Sequence, residues 1–322
     1  MKIVILDADT VSQNDVSLEP ITSLGDSTVY GYTAPEDIFD RIKDANIVVC
    51  NKCVITREMI SKCPELKMIT LFATGYNNID VKAAAEYGVA VCNVPSYSTD
   101  SVAQHTFALM LEHFNRVGDY SRSVANGDWM KQKLFTYFYR PIFELSGMTL
   151  GIIGFGEIGR RVAQIGKAFG MEIVTYTRSP QKVDGALAKA VSLEELLKQS
   201  DVVTLHCPLN EGTERLINKE TISMMKPQAI LINTSRGGVI DEQALADALN
   251  AGKIAGAYID VLTREPMDES CPLFGLPNCF MTPHIAWAPL QTRIRLIDKV
   301  AFNISSFISG TPVNCVNSID KK

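Results

Sequence analysis

The stretch Leu150-Gly-Ile-Ile-Gly-Phe-Gly-Glu-Ile-Gly-Arg160 decides how the rest of the chain is read. It holds a G-x-G-x-x-G spacing at Gly154, Gly156 and Gly159, directly after the apolar run 150–153. Val162, Ile165 and Phe169 then recur about one helical turn apart, and Gly170 supplies a stop. Strand, glycine turn and helix is the context in which this spacing cradles a dinucleotide. Gly154 allows the tight turn, Gly156 lets backbone approach a pyrophosphate, and Gly159 lets the helix pack close to the sheet. The helix N-terminus adds unpaired N–H groups and a positive dipole end.

On both sides of this turn, short apolar runs alternate with helical patterns. Before it, strands are expected at 3–6, 28–31, 47–50, 68–72 and 89–92, with helices at 35–43, 56–63 and 81–87. A long helix is expected from Ser98 or Thr99 to about Arg122. The aromatic-rich stretch 126–143 reads as a linker or packing arm. After the turn, strands are expected at 172–176, 201–206, 229–233, 255–261 and 279–282, with helices at 193–199, 219–225, 242–251 and 290–310. The expected fold class is α/β, with two doubly wound parallel-sheet domains. The second alternation sits inside a chain whose first and last segments differ from it, which suggests an insertion. A Rossmann dinucleotide-binding domain is expected over 101–287, and a discontinuous substrate-binding domain over 1–100 and 288–322.

Composition bounds the function. A chain of 322 residues has room for two domains with buried cores. Its net charge of −5 gives no electrostatic footprint for nucleic acid. No apolar run is long enough to span a bilayer, and no membrane partner is expected. The opening Met-Lys-Ile-Val-Ile-Leu-Asp runs into a strand and a charge rather than a secretory signal. The eight cysteines are therefore expected as reduced thiols, and the location as cytoplasmic. Cys50 and Cys53 form a C-x-x-C, but no second pair completes a metal set. They read as a strand-end thiol and a loop thiol, and no metal is expected.

Three residues carry the candidate chemistry, each just past its own strand. Arg236 lies in Asn233-Thr-Ser-Arg-Gly-Gly238, Glu265 in Asp260-Val-Leu-Thr-Arg-Glu-Pro266, and His284 in Thr282-Pro-His284. Ligands bind an open α/β sheet at the carboxyl ends of its strands. A guanidinium there can clasp a carboxylate with two hydrogen bonds. Of the other histidines, His206 ends a strand and could line the same crevice, while His105 and His113 lie on the long helix and read as structural.

With these motifs in this order, the chain resembles the D-isomer-specific 2-hydroxyacid dehydrogenases over nearly its whole length. The stretch 94–106 and the Trp after His284-Ile-Ala look most like glycerate dehydrogenase or hydroxypyruvate reductase members, which include glyoxylate reductases. The resemblance implies a flavodoxin-like substrate domain and catalytic roles for Arg236, Glu265 and His284. It implies cofactor contacts from Gly154, Gly156, Glu157, Ile158, Gly159, His206, Cys207, Pro208, Thr234, Ser235, Asp260, Ala286, Trp287 and Thr106. Substrate contacts would come from Ala73, Thr74 and Gly75, with Arg236 and His284; Lys52 is either a further contact or a solvated lysine. The implied reaction is hydride transfer between NAD(P)H and a small 2-oxo acid or D-2-hydroxy acid, such as hydroxypyruvate or glyoxylate. Other substrates, such as 3-phosphoglycerate or D-lactate, stay open. So does a nicotinamide-sensing protein like the C-terminal-binding co-repressors. The family also implies a homodimer.

One position departs from the NAD pattern. The strand after the fingerprint helix ends in Thr177-Arg178-Ser179, where an NAD site places an acid for the ribose hydroxyls. Arg178 and Ser179 suit a 2′-phosphate instead, so the reading leans to NADP(H).

Overall fold

The computed structural model describes residues 1–318, so residues 319–322 of the expected 288–322 segment lie outside the described residues. The chain forms two compact units, one of Met1–Ser98 with the segment beginning at Trp287, the other Thr99–Ala286. Trp287 thus falls in the first unit, together with the chain's two outer segments.

The first unit begins with β1 (Lys2–Ile5), α1 (Glu19–Thr22), β2 (Asp26–Val29), α2 (Ile38–Ile42) and β3 (Ile47–Cys50). It continues with α3 (Arg57–Ser61), β4 (Met68–Leu71), α4 (Val81–Glu86) and β5 (Ala90–Cys92). All pairings are parallel, in the order β2-β1-β3-β4-β5, which is the flavodoxin-like order. β3 and β4 are buried at every position, as strands covered on both faces must be. One face packs Val48, Ile69 and Val91 under the short helices. The other packs Ile3, Ile5 and Phe72 against Leu296, Ile297, Val300 and Ile304, one stripe of a helix from the chain's far end.

The second unit opens with α5 (Thr99–Asn115) and α6 (Val117–Ala125). One helix to Arg122 was expected; the break falls at Arg116, whose backbone is left-handed at φ 52°. Helical periodicity runs across that single residue, so the pattern does not reveal it. There follow β6 (Thr149–Ile153), α7 (Glu157–Ala168), β7 (Glu172–Tyr176), β8 (Lys189–Ala190) and α8 (Leu193–Gln199). The unit closes with β9 (Val202–Leu205), α9 (Lys219–Ser223), β10 (Ile230–Asn233), α10 (Glu242–Asn250), β11 (Gly256–Ile259) and β12 (Cys279–Met281). α11 (Leu290–Ile308) is the helix that packs on the first sheet.

The seven strands run parallel in the order β12-β11-β10-β9-β6-β7-β8. Chain order reverses between β6 and β9, the point where a Rossmann sheet opens a crevice for a dinucleotide. The sequence expectation lacked β8, whose two residues are too few to show a period. Ala103, Phe107, Met110 and Phe114 of α5 lie on one face of this sheet with Leu150 and Ile152. No helix among the described residues is long and apolar enough to cross a membrane.

Candidate active site

The glycine turn is built as its spacing demands. Gly154 follows β6 with φ 94°, and a Cβ there would stand 2.6 Å from the His206 carbonyl. A Cβ on Gly159 would run into the carbonyl oxygen of Gly154, so the first turn of α7 lies directly on the loop. Gly156 differs, because a Cβ there meets nothing within 4 Å. No protein packing requires glycine at this position; the space beside the α7 N-terminus is open, as a ligand's phosphate would need.

A cleft of about 330 Å³ continues from this turn. Gly154, Gly156, Thr177, Arg178, Ser179, His206, Cys207 and Pro208 line it, so eight of the expected cofactor residues share one wall. Arg160 and Lys182, which sequence reasoning did not single out, line it as well. The Arg160 guanidinium lies over the Phe155 ring at 5.3 Å and donates to the Lys182 carbonyl at 3.0 Å. Burial pushes the His206 imidazole down to about 3, so it lines the cleft as a neutral ring, with Nε2 3.0 Å from the Thr204 hydroxyl.

The remaining expected cofactor residues sit elsewhere. Glu157 and Ile158 begin α7. Thr106 has no exposed surface; its hydroxyl donates to the Val102 carbonyl and lies 3.3 Å from that of Thr234, so it backs Thr234. Ser235 donates its N–H and hydroxyl to the buried Asn233 amide oxygen. Trp287 packs edge-on against Tyr97, with centroids 6.4 Å apart.

Arg236, Glu265 and His284 follow β10, β11 and β12, three neighbouring strands, so the sheet brings their loops together. Each loop has its own brace. Asn233 at the end of β10 donates from Nδ2 to the Arg236 carbonyl at 2.9 Å. Arg236 is exposed, and its Nη1 donates to the Ser235 carbonyl. Glu265 accepts the Leu262 N–H at 3.0 Å with Oε1, while Oε2 lies 2.7 Å from Nδ1 of His284. That carboxylate keeps the imidazole proton on Nδ1 and leaves Nε2 as the nitrogen that exchanges one.

Asp260, 2% exposed, organises the His284 loop. Its carboxylate accepts the N–H groups of Ile285 and Ala286, each at 2.9 Å, and the Thr282 hydroxyl at 2.5 Å. Its carbonyl accepts the His284 N–H at 2.8 Å. His105 reaches the same group, with Nε2 3.0 Å from the Thr282 hydroxyl and 3.6 Å from Asp260 Oδ1. The expected structural setting of His113 is more complete: it is buried, bonded to the Tyr258 hydroxyl at 2.9 Å, and pushed down to about 4 chiefly by burial.

In the first unit, Asp7 after β1 accepts the N–H groups of Asn51, Lys52 and Cys53 and so fixes the loop that carries Lys52. Cys50 is buried at the end of β3, and burial with the nearby Asp7 carboxylate pushes the Cys53 thiol up to about 12. The loop after β4 is braced by the Asn93 side chain, which donates to the Thr74 carbonyl at 2.7 Å, and by Thr74 Oγ1 donating to the Val94 carbonyl. The backbone N–H groups of Thr74 and Gly75 donate to no protein acceptor among the described residues.

A doubly wound sheet with an open glycine turn, and a carboxylate-paired histidine on the same sheet, describes an oxidoreductase that uses a nicotinamide dinucleotide. Residues 107–286 match the family described as D-isomer specific 2-hydroxyacid dehydrogenase, NAD binding domain. The chain belongs to that family. It is 42% identical over 322 residues to a hydroxypyruvate reductase of Blautia hydrogenotrophica, covering 98% of this chain and 100% of that relative. A glycerate dehydrogenase of Methylorubrum extorquens is 40% identical over 286 residues, covering 88% and 89% of the two chains. Among solved structures, an acyclic imino acid reductase in complex with NADPH and D-arginine superposes with a TM-score of 0.86 at 33% identity, over 98% of this chain and 100% of that one. The activity is NAD(P)H-dependent reduction of a 2-oxo acid and its reverse.

Proposed function

We propose that this enzyme reduces hydroxypyruvate and glyoxylate to D-glycerate and glycolate, with NADPH as the preferred reductant. The unit Thr99–Ala286 binds the dinucleotide, and the first unit receives the substrate carboxylate. The bound nicotinamide supplies the hydride. His284, protonated at Nε2, donates a proton to the carbonyl oxygen during reduction and takes it back during oxidation. Glu265, bonded at Nδ1, orients the ring. Arg236 polarises the carbonyl and holds the carboxylate, a preorganised positive charge where negative charge develops. Within the first unit, Thr74 and Gly75 offer two adjacent backbone N–H groups beside Ala73, donors of the kind a carboxylate takes, and Lys52 adds a charge on its braced loop.

The observation that carries the reading is the Glu265–His284 pair at 2.7 Å, in the loops after β11 and β12, with β11 next to the strand that leads to Arg236. The substrate choice rests on the names of the two relatives above. The cofactor choice rests on the cleft. Arg160, Arg178 and Lys182 line it with Ser179, and no carboxylate lines it among the described residues. Such a wall suits a 2′-phosphate and offers no carboxylate to the two ribose hydroxyls of NAD. Comparing kcat/KM for NADPH and NADH across a panel of 2-oxo acids tests both parts. NADPH should win by tenfold or more, and Arg178→Ala should erase that preference while sparing NADH; a wild-type preference for NADH overturns the cofactor assignment.

The same reading makes the enzyme a cytoplasmic homodimer. All eight cysteines are free thiols, as a reducing compartment keeps them. The stretch 129–143 exposes Met130 at 87%, Phe135 at 88% and Phe138 at 74%, an apolar surface suited to a second copy.

A further inference from the structure

Cys92 is the last residue of β5, and Cys315 lies opposite it in the segment that follows α11. Their sulfurs are 3.3 Å apart. The backbone around them forms an antiparallel bridge in which Asn93 N donates to the Asn314 carbonyl at 3.1 Å and Val316 N to the Val91 carbonyl at 2.8 Å. The two cysteines therefore face each other as a pair with no backbone hydrogen bond between them, the narrow kind. Cα atoms in such a pair are about 4.5 Å apart. That falls inside the roughly 4.4–6.8 Å that a disulfide spans, so closing the bond needs side-chain rotation and little backbone movement.

Side chains hold the segment on β5 as well. Asn317 accepts the Val91 N–H and donates to the Val89 carbonyl, both at 2.9 Å. Asn314 donates to Asn303 Oδ1 at 2.8 Å, and Asn303 donates to the Asn93 carbonyl at 2.9 Å. The two thiols have unequal surroundings. Cys92 is fully buried, and burial holds its thiol well above the usual range, while Cys315 is exposed to solvent. Neither residue has a part in the hydride transfer.

We propose that Cys92 and Cys315 are a thiol–disulfide modification site, oxidised by a small-molecule disulfide of the glutathione type. The exposed Cys315 thiolate attacks one sulfur of the oxidant, and the S–S bond of the oxidant breaks to release one thiol and leave a mixed disulfide on Cys315. Cys92 then loses its proton to water and attacks the Cys315 sulfur, displacing the second thiol. Two protein thiols are oxidised by two electrons, one disulfide is reduced to two thiols, and the exchange reverses with excess dithiol. Because burial disfavours the Cys92 thiolate, the second step is the slower one. A link of this kind, lost and regained with the thiol pool, is the form that disulfides take in reducing compartments.

The test treats the reduced full-length enzyme with oxidised glutathione and maps its peptides without reduction. The expected product has lost the mass of two hydrogens and yields one peptide pair joining the segments that hold Cys92 and Cys315. Dithiothreitol should reverse it, and the link should be absent from Cys315→Ser and Cys92→Ser. The linked form should melt several degrees above the reduced one, a shift that Cys315→Ser does not show. A chain that stays fully reduced, or that stops at a glutathione adduct on Cys315, overturns the proposal. The mass readout does not depend on which 2-oxo acid the enzyme reduces.

Discussion

At the scale of single residues, the reaction proposed above turns on one nitrogen. His284→Ala removes it and should lower kcat by roughly 10²-fold or more, the scale of a lost general acid. Arg236→Ala should lower kcat by about 10²–10³-fold, the scale of a lost electrostatic stabiliser. Steady-state rates with hydroxypyruvate check both, and full turnover in either variant defeats its assigned role. These residues were legible in the sequence because each stands just after an apolar strand, in a loop with glycine or proline. Their braces were less so. The carboxylate of Asp260 holds Thr282, Ile285 and Ala286, more than twenty positions later in the chain. His105 read as an ordinary helix residue, and only the sheet's folding brings it to Thr282. Partners that distant leave no local pattern to read.

At the scale of the element, the fingerprint separates two kinds of glycine. Gly159 is required by the protein itself, since a Cβ there overlaps the Gly154 carbonyl. Gly159→Ala should therefore destabilise the enzyme by about 1–3 kcal/mol, the usual range for overpacking, seen as a lower denaturant midpoint at unchanged slope. Gly156 has open space around it and a backbone that alanine adopts without strain, φ −75°. Gly156→Ala should keep the midpoint of the parent and lose affinity for NADPH by tenfold or more, measured by fluorescence titration. Equal behaviour of the two variants would show that the space is not the phosphate's. The strand–turn–helix itself was readable because apolar run, glycines and helical stripe adjoin one another. The break at Arg116 was not, because one left-handed residue leaves the apolar period intact on either side.

At the scale of the whole molecule, the two-sheet plan was legible from the repeated alternation of short apolar runs and helices. The pairing order was not, because parallel strands of similar composition carry no mark of their neighbours. The exposed aromatic stretch is the surface on which the proposed homodimer rests. Tyr120, Tyr137 and Tyr139 pack against one another with centroids 4.7–6.1 Å apart, while Met130, Phe135 and Phe138 are exposed. Light scattering on the eluting protein should give twice the chain mass, and Phe135→Glu with Phe138→Glu should reduce it to one chain mass.

The segment that carries Cys315 has a further consequence for solubility. β5 is an outermost strand of an otherwise parallel sheet, and a bare outermost strand is a template on which other chains can add. Val316 and Asn314 occupy part of its outer row of amides and carbonyls, and Asn317 satisfies another donor and acceptor with its side chain. The segment is thus a guard against strand addition, running in the opposite sense to every strand beside it. Removing residues 312–322 should leave that row open, and the shortened enzyme should form aggregates on storage that grow with concentration, while the intact chain stays clear.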